Sequence, residues 1–180
     1  MNTTWQSLNE RVKVWRTVQL GNGIITRDDF RTQLAARKWR LDDNAYDLMR
    51  PLPYGGFSTS PVFLSASLVL VQPQDLLNYR PYTMQQLCDA AFESGLQECA
   101  DECAAQFCLQ FPDDLAPTEW LLFVTRQLLN SNQDPRFFYA QYDALGKNVG
   151  TTSGSLDNPG GDSLGPWPMD TSMVFQLPNN

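Results

Sequence analysis

Apolar residues recur every three to four positions through the first part of the chain, and this spacing predicts amphipathic helices. A first helix is expected from Thr3 to about Leu20, because Thr3 and Gln6 form a capping-box pattern and glycines follow the segment at 21–23. Thr26 is a suitable cap for a second helix. A short third helix is expected over 43–49, before a segment rich in Pro and Gly.

The same helical spacing returns between 83 and 146. A capping-box pattern at Thr83 opens a helix that should end near Gly95, and a further helix is expected over 96–110. Residues 118–129 are apolar on most sides, which predicts a central buried helix. A final helix is expected from Pro135, a residue favoured at the first helical position, to about Gly146.

Two segments have the period of two that is typical of strands. Residues 62–71 alternate along a run rich in Val and Leu, and a strand of this kind needs a partner. Residues 171–177 also alternate, although they follow a long stretch of Gly, Ser, Asn, Asp and Pro. We therefore expect the C-terminal tip to add a strand to the sheet of 62–71, in its own chain or in a neighbouring subunit.

Together these patterns predict a mainly α fold. We expect a helical domain over residues 1–146, with about six helices and one or two strands, and an extended C-terminal arm over 147–180. The residues of this arm that should bind a partner are its apolar tip and an anchoring tryptophan, namely Met173, Val174, Phe175, Leu177 and Trp167.

Charge adds a second candidate surface. The chain has 20 Asp and Glu against 13 Lys and Arg, and the first fifty residues are basic whereas the remainder is acidic. An acidic body argues against general nucleic-acid binding and suits head-to-tail contact between copies. Arg37, Lys38 and Arg40 surround Trp39, and this basic cluster either lines the surface or docks an acidic neighbour.

Catalytic signals are scarce. The sequence has no histidine, which excludes Ser-His and Cys-His nucleophiles and His-liganded zinc, and it has no phosphate-binding glycine loop. We expect Cys88, Cys99, Cys103 and Cys108 to be buried free thiols, with a disulfide or a metal site as alternatives. A run of acids should form a solvated face. Its members are Asp89, Glu93, Glu98, Asp101 and Glu102.

These observations favour a non-enzymatic structural or assembly subunit that needs no cofactor and no metal. Its partners would be other protein subunits, in a homo-oligomer or a mixed particle, and a virion component of the bacteriophage connector, neck or tail type is the specific hypothesis. A cellular adaptor that offers its acidic face to a basic partner is the alternative. An enzyme using carboxylates and a divalent metal, or a cysteine-based redox protein, is a third class.

No apolar run is long enough for a membrane span and the start lacks a signal-peptide pattern, so we expect synthesis in a cytoplasm, and incorporation into a virion if the protein is viral.

Overall fold

The fold is built on one curled sheet. The structure is a computed structural model that describes residues 13–24, 26–51, 56–77, 83–153 and 171–178. Within these ranges a seven-stranded mixed sheet curls into a half-barrel, and strands hold more residues than helices do. The prediction of a mainly helical fold is therefore wrong.

The sheet is mixed and its strand order differs from the order along the chain. In space the order is β1-β3-β7-β4-β5-β6-β2. The pairs β2–β6 and β4–β7 are parallel, and the other neighbours are antiparallel. The strands are β1 Arg16–Leu20, β2 Trp39–Leu41, β3 Leu64–Val71, β4 Trp120–Leu129, β5 Pro135–Asp143, β6 Gly146–Ser153 and β7 Ser172–Gln176.

Helices cover both faces of the sheet. The described helices are α1 Arg27–Ala36, α2 Asp43–Leu48, α3 Pro73–Leu76, α4 Met84–Glu93 and α5 Cys103–Gln110. One buried cluster joins α1, α2 and α5 to the face of β4 that carries Leu121 and Phe123. A second cluster joins α4 to the opposite face, which carries Leu122 and Val124. No helix in the described ranges combines the length and apolar character that a bilayer crossing requires.

Three helices lie where their capping residues predict them. Thr26 caps α1 in a capping box with Asp29, and Thr83 caps α4 in a capping box with Gln86. Helix α2 falls within the predicted segment 43–49, and its cap is Asp42, whose side chain accepts a hydrogen bond from the Ala45 backbone at 2.6 Å. The strand expected at 62–71 is also confirmed, as β3.

The predicted central helix is strand β4. Its residues 121–125 are all buried, because consecutive side chains point into the two different clusters on either side of the sheet. A strand that is covered on both faces has no polar positions to reveal its period, and it resembles a buried helix in sequence. The helix expected over 96–110 is likewise shorter, since residues 97 and 99 make bridges to other segments.

Turn residues in the second half were also mistaken for helix ends. Asn130 Oδ1 accepts hydrogen bonds from the backbone of Asn132 and Asp134, which closes the β4–β5 connection. Gly146 has a φ of 109° and begins β6 directly after the turn that follows β5. The segment expected to be a final helix is therefore strand β5, paired along its length with β6.

The ends of the chain differ from the prediction too. Residues 16–20 form edge strand β1 rather than the end of a helix, with Val18 and Leu20 buried at alternate positions. The predicted helix over 3–20 otherwise lies mostly outside the described residues. At the other end, residues 146–153 form β6 and residues 172–176 form β7 inside the sheet, so these two stretches of the expected arm are strands, and residues 154–170 lie outside the described part of the chain.

Candidate functional site

Strand β7 occupies a slot in the middle of the sheet. It pairs antiparallel with β3, where Val174 lies opposite Leu70, and parallel with β4, where Val174 lies opposite Phe123. Met173, Val174 and Phe175 are all fully buried. Met173 and Phe175 pack under α4, whereas Val174 packs in the cluster on the other face. The C-terminal strand is thus a core element with both faces and both edges occupied.

The segment 97–99 fastens the end of this slot. The backbones of Gln97 and Gln176 exchange two hydrogen bonds, at 2.8 and 2.9 Å. The Cys99 backbone N–H donates to the carbonyl oxygen of Val124 at 2.7 Å, and its thiol donates to the carbonyl oxygen of Val174 at 3.3 Å. These contacts tie β7 to β4 through a third segment of chain.

The predicted partner-binding residues fall into separate places. Met173, Val174 and Phe175 belong to β7 and fill the slot. Leu177 is half-buried, and its backbone N–H donates to the Ser67 carbonyl oxygen at 2.9 Å. Trp167 lies outside the described residues. The pairing of the tip with the strand at 62–71 is confirmed, and it is made by the same chain.

The basic cluster lies at the opposite side of the sheet from β1, around the edge strand β2. Arg37 and Lys38 are exposed after the end of α1, and Trp39 packs inward, with 1% of its surface exposed. The guanidinium of Arg40 lies 3.7 Å from the Asp143 carboxylate. Strands β4, β5 and β6 separate this cluster from β7, so the structure does not bring the two predicted surfaces together.

Two of the acids expected on a solvated face are buried. Asp101 is 4% exposed and accepts two hydrogen bonds from the Arg126 guanidinium, at 2.6 and 3.0 Å, and two from Ser58. Glu102 is fully buried and accepts hydrogen bonds from the backbones of Ser60, at 2.7 Å, and Gly21, at 3.3 Å. Both carboxylates therefore hold loops against the start of α5. Neighbouring residues in the sequence could not indicate this, because the donors come mainly from distant segments and three of them are backbone N–H groups.

A polar stripe runs along α5 from Glu102 and was not predicted. Gln106 donates to Glu102 at 2.8 Å, and Gln110 donates to Gln106 at 3.1 Å. Gln106 also exchanges two hydrogen bonds with the Asn22 side chain. The spacing of four between Glu102, Gln106 and Gln110 was the available signal, because it places three polar side chains on one side of an otherwise apolar helix.

A cleft of about 400 Å³ opens beside β2. Its lining mixes polar and apolar residues, namely Arg31, Ala35, Trp39, Arg40, Leu41, Asp42, Asp43 and Asn148. A second cleft, of about 410 Å³, lies near the end of β7 and includes Glu98, Asp101, Arg126 and Gln176. Burial raises the pKa of the Glu98 carboxyl there.

Two residues of the first cleft, Asp42 and Asn148, meet the Tyr139 hydroxyl beside Gly150. Gly150 leaves room for them, since a Cβ atom at this position would lie 2.4 Å from the Tyr139 hydroxyl oxygen and 2.5 Å from Asp42 Oδ2. Burial raises the pKa of the Asp42 carboxyl, although hydrogen bonds from the Ala45 backbone and the Asn148 side chain oppose the shift. Burial and the nearby Asp42 charge raise the pKa of the Tyr139 hydroxyl.

One atom of this group is left without a partner. Asn148 is 7% exposed, and its Oδ1 is buried and accepts no hydrogen bond from the described part of the protein. A buried acceptor without a donor costs about 1–3 kcal/mol.

The four cysteines are buried free thiols, as predicted. Burial raises the pKa of the Cys88 thiol to about 12 and the pKa of Cys99 and Cys108 well above the usual range. Across the described ranges, no group of three or more Cys, Asp or Glu side chains is placed to hold a metal ion.

Comparison with protein-family models, with curated protein sequences and with solved structures finds no match.

Proposed function

We propose that this chain is a structural subunit that assembles with further copies of itself, and that the copies are joined by exchange of strand β7. One observation carries this proposal. The last strand of the chain is a central strand, fully buried at Met173, Val174 and Phe175, and hydrogen-bonded on both sides. A sheet that is completed by its own C-terminal segment offers the same slot to the C-terminal segment of a neighbour.

The length of the connection permits either arrangement. Residues 154–171 join β6 to β7, and a chain of this length spans up to about 60 Å when fully extended. The return within one sheet, back along β6 and across three strand spacings, covers about 30 Å. The difference leaves enough chain to reach the slot of an adjacent copy.

Exchange changes the free energy little. A β7 strand makes the same backbone and core contacts in a neighbouring copy as in its own chain. The subunit concentration and the entropy cost of closing the loop therefore decide which of the two arrangements forms. Crowding of subunits in a particle favours exchange. If each copy passes β7 to the next copy rather than back to its donor, the contact is head-to-tail and builds rings or filaments.

The remaining hypotheses for function, including the cellular adaptor and the bacteriophage component, depend on features other than β7. The adaptor alternative depended on an acidic face, and two of its five acids, Asp101 and Glu102, are buried under loops of the same chain. The basic cluster around Arg40 remains a candidate second contact in a head-to-tail assembly. A bacteriophage connector, neck or tail setting, and the absence of enzymatic activity, stay predictions.

A pair of cysteines can report which chain fills the slot. Leu70 and Val174 lie opposite each other on β3 and β7, so a Leu70→Cys/Val174→Cys protein should form a disulfide across this pair. After oxidation and denaturing electrophoresis without reductant, exchange produces covalent dimers and longer chains. Mass photometry of the unmodified protein should show multiples of the 20.4 kDa subunit.

The matched control places the cysteines at Thr17 and Ser67, which lie opposite each other on β1 and β3. Both strands precede the connection to β7, so this pair should crosslink only within one chain. The native thiols are buried and free and should not interfere. Complete crosslinking of the Leu70–Val174 pair in a strictly monomeric band would refute strand exchange.

A further inference from the structure

The outer face of helix α4 carries two acids and an aromatic ring that the fold does not use. Asp89 and Glu93 are exposed, and Phe92 is 39% exposed and belongs to neither buried cluster. Side chains three and four positions apart are neighbours on a helix surface, so Asp89 lies beside both Phe92 and Glu93. The opposite face of the helix is buried, which fixes the position of this outer face.

A third acid extends this surface beyond the end of the helix. Burial and the charges of Glu98 and Asp89 raise the pKa of the Cys88 thiol, so both carboxylates lie near the same sulfur atom. The cation near Glu98 is Arg126, whose guanidinium already donates two hydrogen bonds to Asp101. We call this region the α4 surface, and its members are Asp89, Phe92, Glu93 and Glu98. Within the described ranges, no salt bridge engages any of its carboxylates.

The chemistry of the α4 surface selects a cationic partner. Carboxylates accept charge-assisted hydrogen bonds from guanidinium and ammonium groups. An exposed aromatic ring attracts a cation to its face, and arginine makes this contact more often than lysine does. The partner should therefore present at least one arginine beside a second cation.

The turn between α1 and β2 presents two such cations on a fixed backbone. Arg37 and Lys38 are exposed there, and their backbone N–H groups donate to the carbonyl oxygens of Leu34, at 2.9 Å, and Ala35, at 3.0 Å. The next residue, Trp39, is 1% exposed and anchors the turn in the core. A turn that is already ordered loses little conformational entropy when it binds.

These two cations supply the excess positive charge of their region. Arg40 lies 3.7 Å from the Asp143 carboxylate, and Lys147 lies 2.8 Å from Asp113. Lys38 also acts on Asp113, as a weaker cause of its lowered pKa. Four cations thus face two carboxylates around the turn, whereas the α4 surface carries three carboxylates. The two regions have opposite net charge.

The turn and the α4 surface belong to different parts of the fold. The turn leads into β2 at one edge of the sheet, whereas α4 packs in the cluster that includes β3, β4 and β7. A contact between them therefore joins two copies head-to-tail. We propose that the turn at 37–38 of one copy docks on the α4 surface of the next copy. This proposal rests on the proposed function, because it names a second contact of the same assembly.

Charge reversal on each side tests the contact. The variants are Arg37→Glu/Lys38→Glu and Asp89→Lys/Glu93→Lys, and sedimentation velocity of the full chain in low salt measures self-association. Each variant alone should associate at least about a hundredfold more weakly, because like charges then face each other. An equimolar mixture should recover association, since every contact between unlike variants pairs opposite charges. Both variants stay net negative, because the wild-type charge is −7 and each variant changes it by four, so overall attraction cannot explain the recovery.

The matched control reverses a lysine at the other edge of the sheet. Lys13 is exposed just before β1, and Lys13→Glu changes the net charge as much as Lys38→Glu does. We expect Lys38→Glu to weaken association about tenfold and Lys13→Glu to leave it unchanged. The replaced side chains are exposed, so all variants should keep the melting temperature of the wild type. Wild-type association should weaken between about 0.05 M and about 0.5 M NaCl.

The cysteine pair at Leu70 and Val174 separates this contact from strand exchange. Its oxidised monomeric fraction cannot exchange β7 and should still associate in low salt. Crosslinks confined to single chains, with this association retained, would refute exchange alone. The docking proposal is overturned if the locked monomer does not associate at about 1 mM protein. It is equally overturned if the mixture of reversed variants stays dissociated, or if Lys13→Glu and Lys38→Glu weaken association equally.

Discussion

The side chain of Gln110 pairs with the backbone of Gln19 as a neighbouring strand would. Its Oε1 accepts from the Gln19 N–H at 2.8 Å, and its Nε2 donates to the Gln19 carbonyl oxygen at 2.8 Å. Gln19 lies in β1, an edge strand of the sheet. An unpaired edge is a template for association with other chains, and here the last turn of α5 covers part of it.

Replacement of Gln110 by alanine should expose this edge. The two backbone groups of Gln19 lose their protein partners, and we expect the free energy of unfolding to fall by about 1–2 kcal/mol in urea denaturation. Light scattering should also show faster aggregation near the midpoint. Gln85→Ala is the control, since Gln85 donates to Asp89 one turn away on the exposed side of α4. Equal losses for the two variants would contradict the edge-covering role.

Replacement of Glu102 should cost more. This buried carboxylate accepts hydrogen bonds from Ser60, Gly21 and Gln106, so Glu102→Ala removes all three and leaves the two backbone donors without an acceptor. We expect a loss of roughly 2–4 kcal/mol in the free energy of unfolding, measured in urea. Glu102→Gln keeps the size of the side chain and should lose less.

The exposed acid Glu93 provides the comparison for Glu102. Glu93→Ala should change stability by under about 0.5 kcal/mol, as surface substitutions do. If Glu102→Ala were equally mild, the carboxylate would not be what fastens the loops at Gly21 and Ser60 to α5.

The helices were predicted correctly where local chemistry decides the structure. Capping boxes at Thr26 and Thr83 use only residues within one turn, and both helices lie where those residues place them. The same holds for β3, whose two faces differ enough for the period of two to be visible. These elements could be predicted from the sequence because their signals do not depend on distant parts of the chain.

Strands β4 and β5 could not be predicted in this way. The run from Leu121 to Thr125 is buried because α4 covers one face of the sheet and α5 the other, and neither cover is visible in the run itself. Pro135 begins a strand here, although it also suits the start of a helix. Periodicity identifies β7 as a strand, but the sequence does not say that its slot lies between β3 and β4 of the same chain.

The candidate cleft was missed for a related reason. Tyr139 and Asn148 lie on the β5–β6 hairpin, and the parallel pairing of β2 with β6 brings the distant residue Asp42 to them. In the sequence, Arg40 belongs only to a basic cluster with Arg37 and Lys38. Its place in a cleft depends on the sheet.

Asp42 should give the protein a distinctive pH response. Burial and the neighbouring charge of Asp43 raise its pKa above 3.8, so the folded state holds the proton more tightly than the unfolded state does. The ionised form therefore destabilises the fold at neutral pH, and this cost disappears as the pH falls through the raised pKa towards 3.8. Asp42→Asn preserves a good helix cap. Its free energy of unfolding should exceed that of the wild type most near neutrality, and this difference should disappear in acid.

Asp113 is the control of opposite sign. A hydrogen bond from Lys147 lowers its pKa, so its contribution is present above 3.8 and is lost as the pH falls through the lowered value. The free energy of unfolding of Asp113→Asn should therefore fall furthest below that of the wild type near neutrality, and this difference should shrink in acid. Urea unfolding from pH 7 to about pH 3 measures both slopes, and parallel slopes for the two variants would contradict the assignment to Asp42.

Gly150 should not accept a side chain without cost, because the Tyr139 and Asp42 side chains lie directly against it. A Cβ atom would lie about as close to the Tyr139 ring as to Asp42 Oδ2, at distances that no carbon tolerates. We expect Gly150→Ala to lower the free energy of unfolding by about 1–3 kcal/mol. In a Tyr139→Leu background the same substitution should cost less, since one of the two obstructing groups is gone. A double-mutant cycle in urea measures this coupling, and strictly additive losses would show that the alanine methyl group does not meet Tyr139.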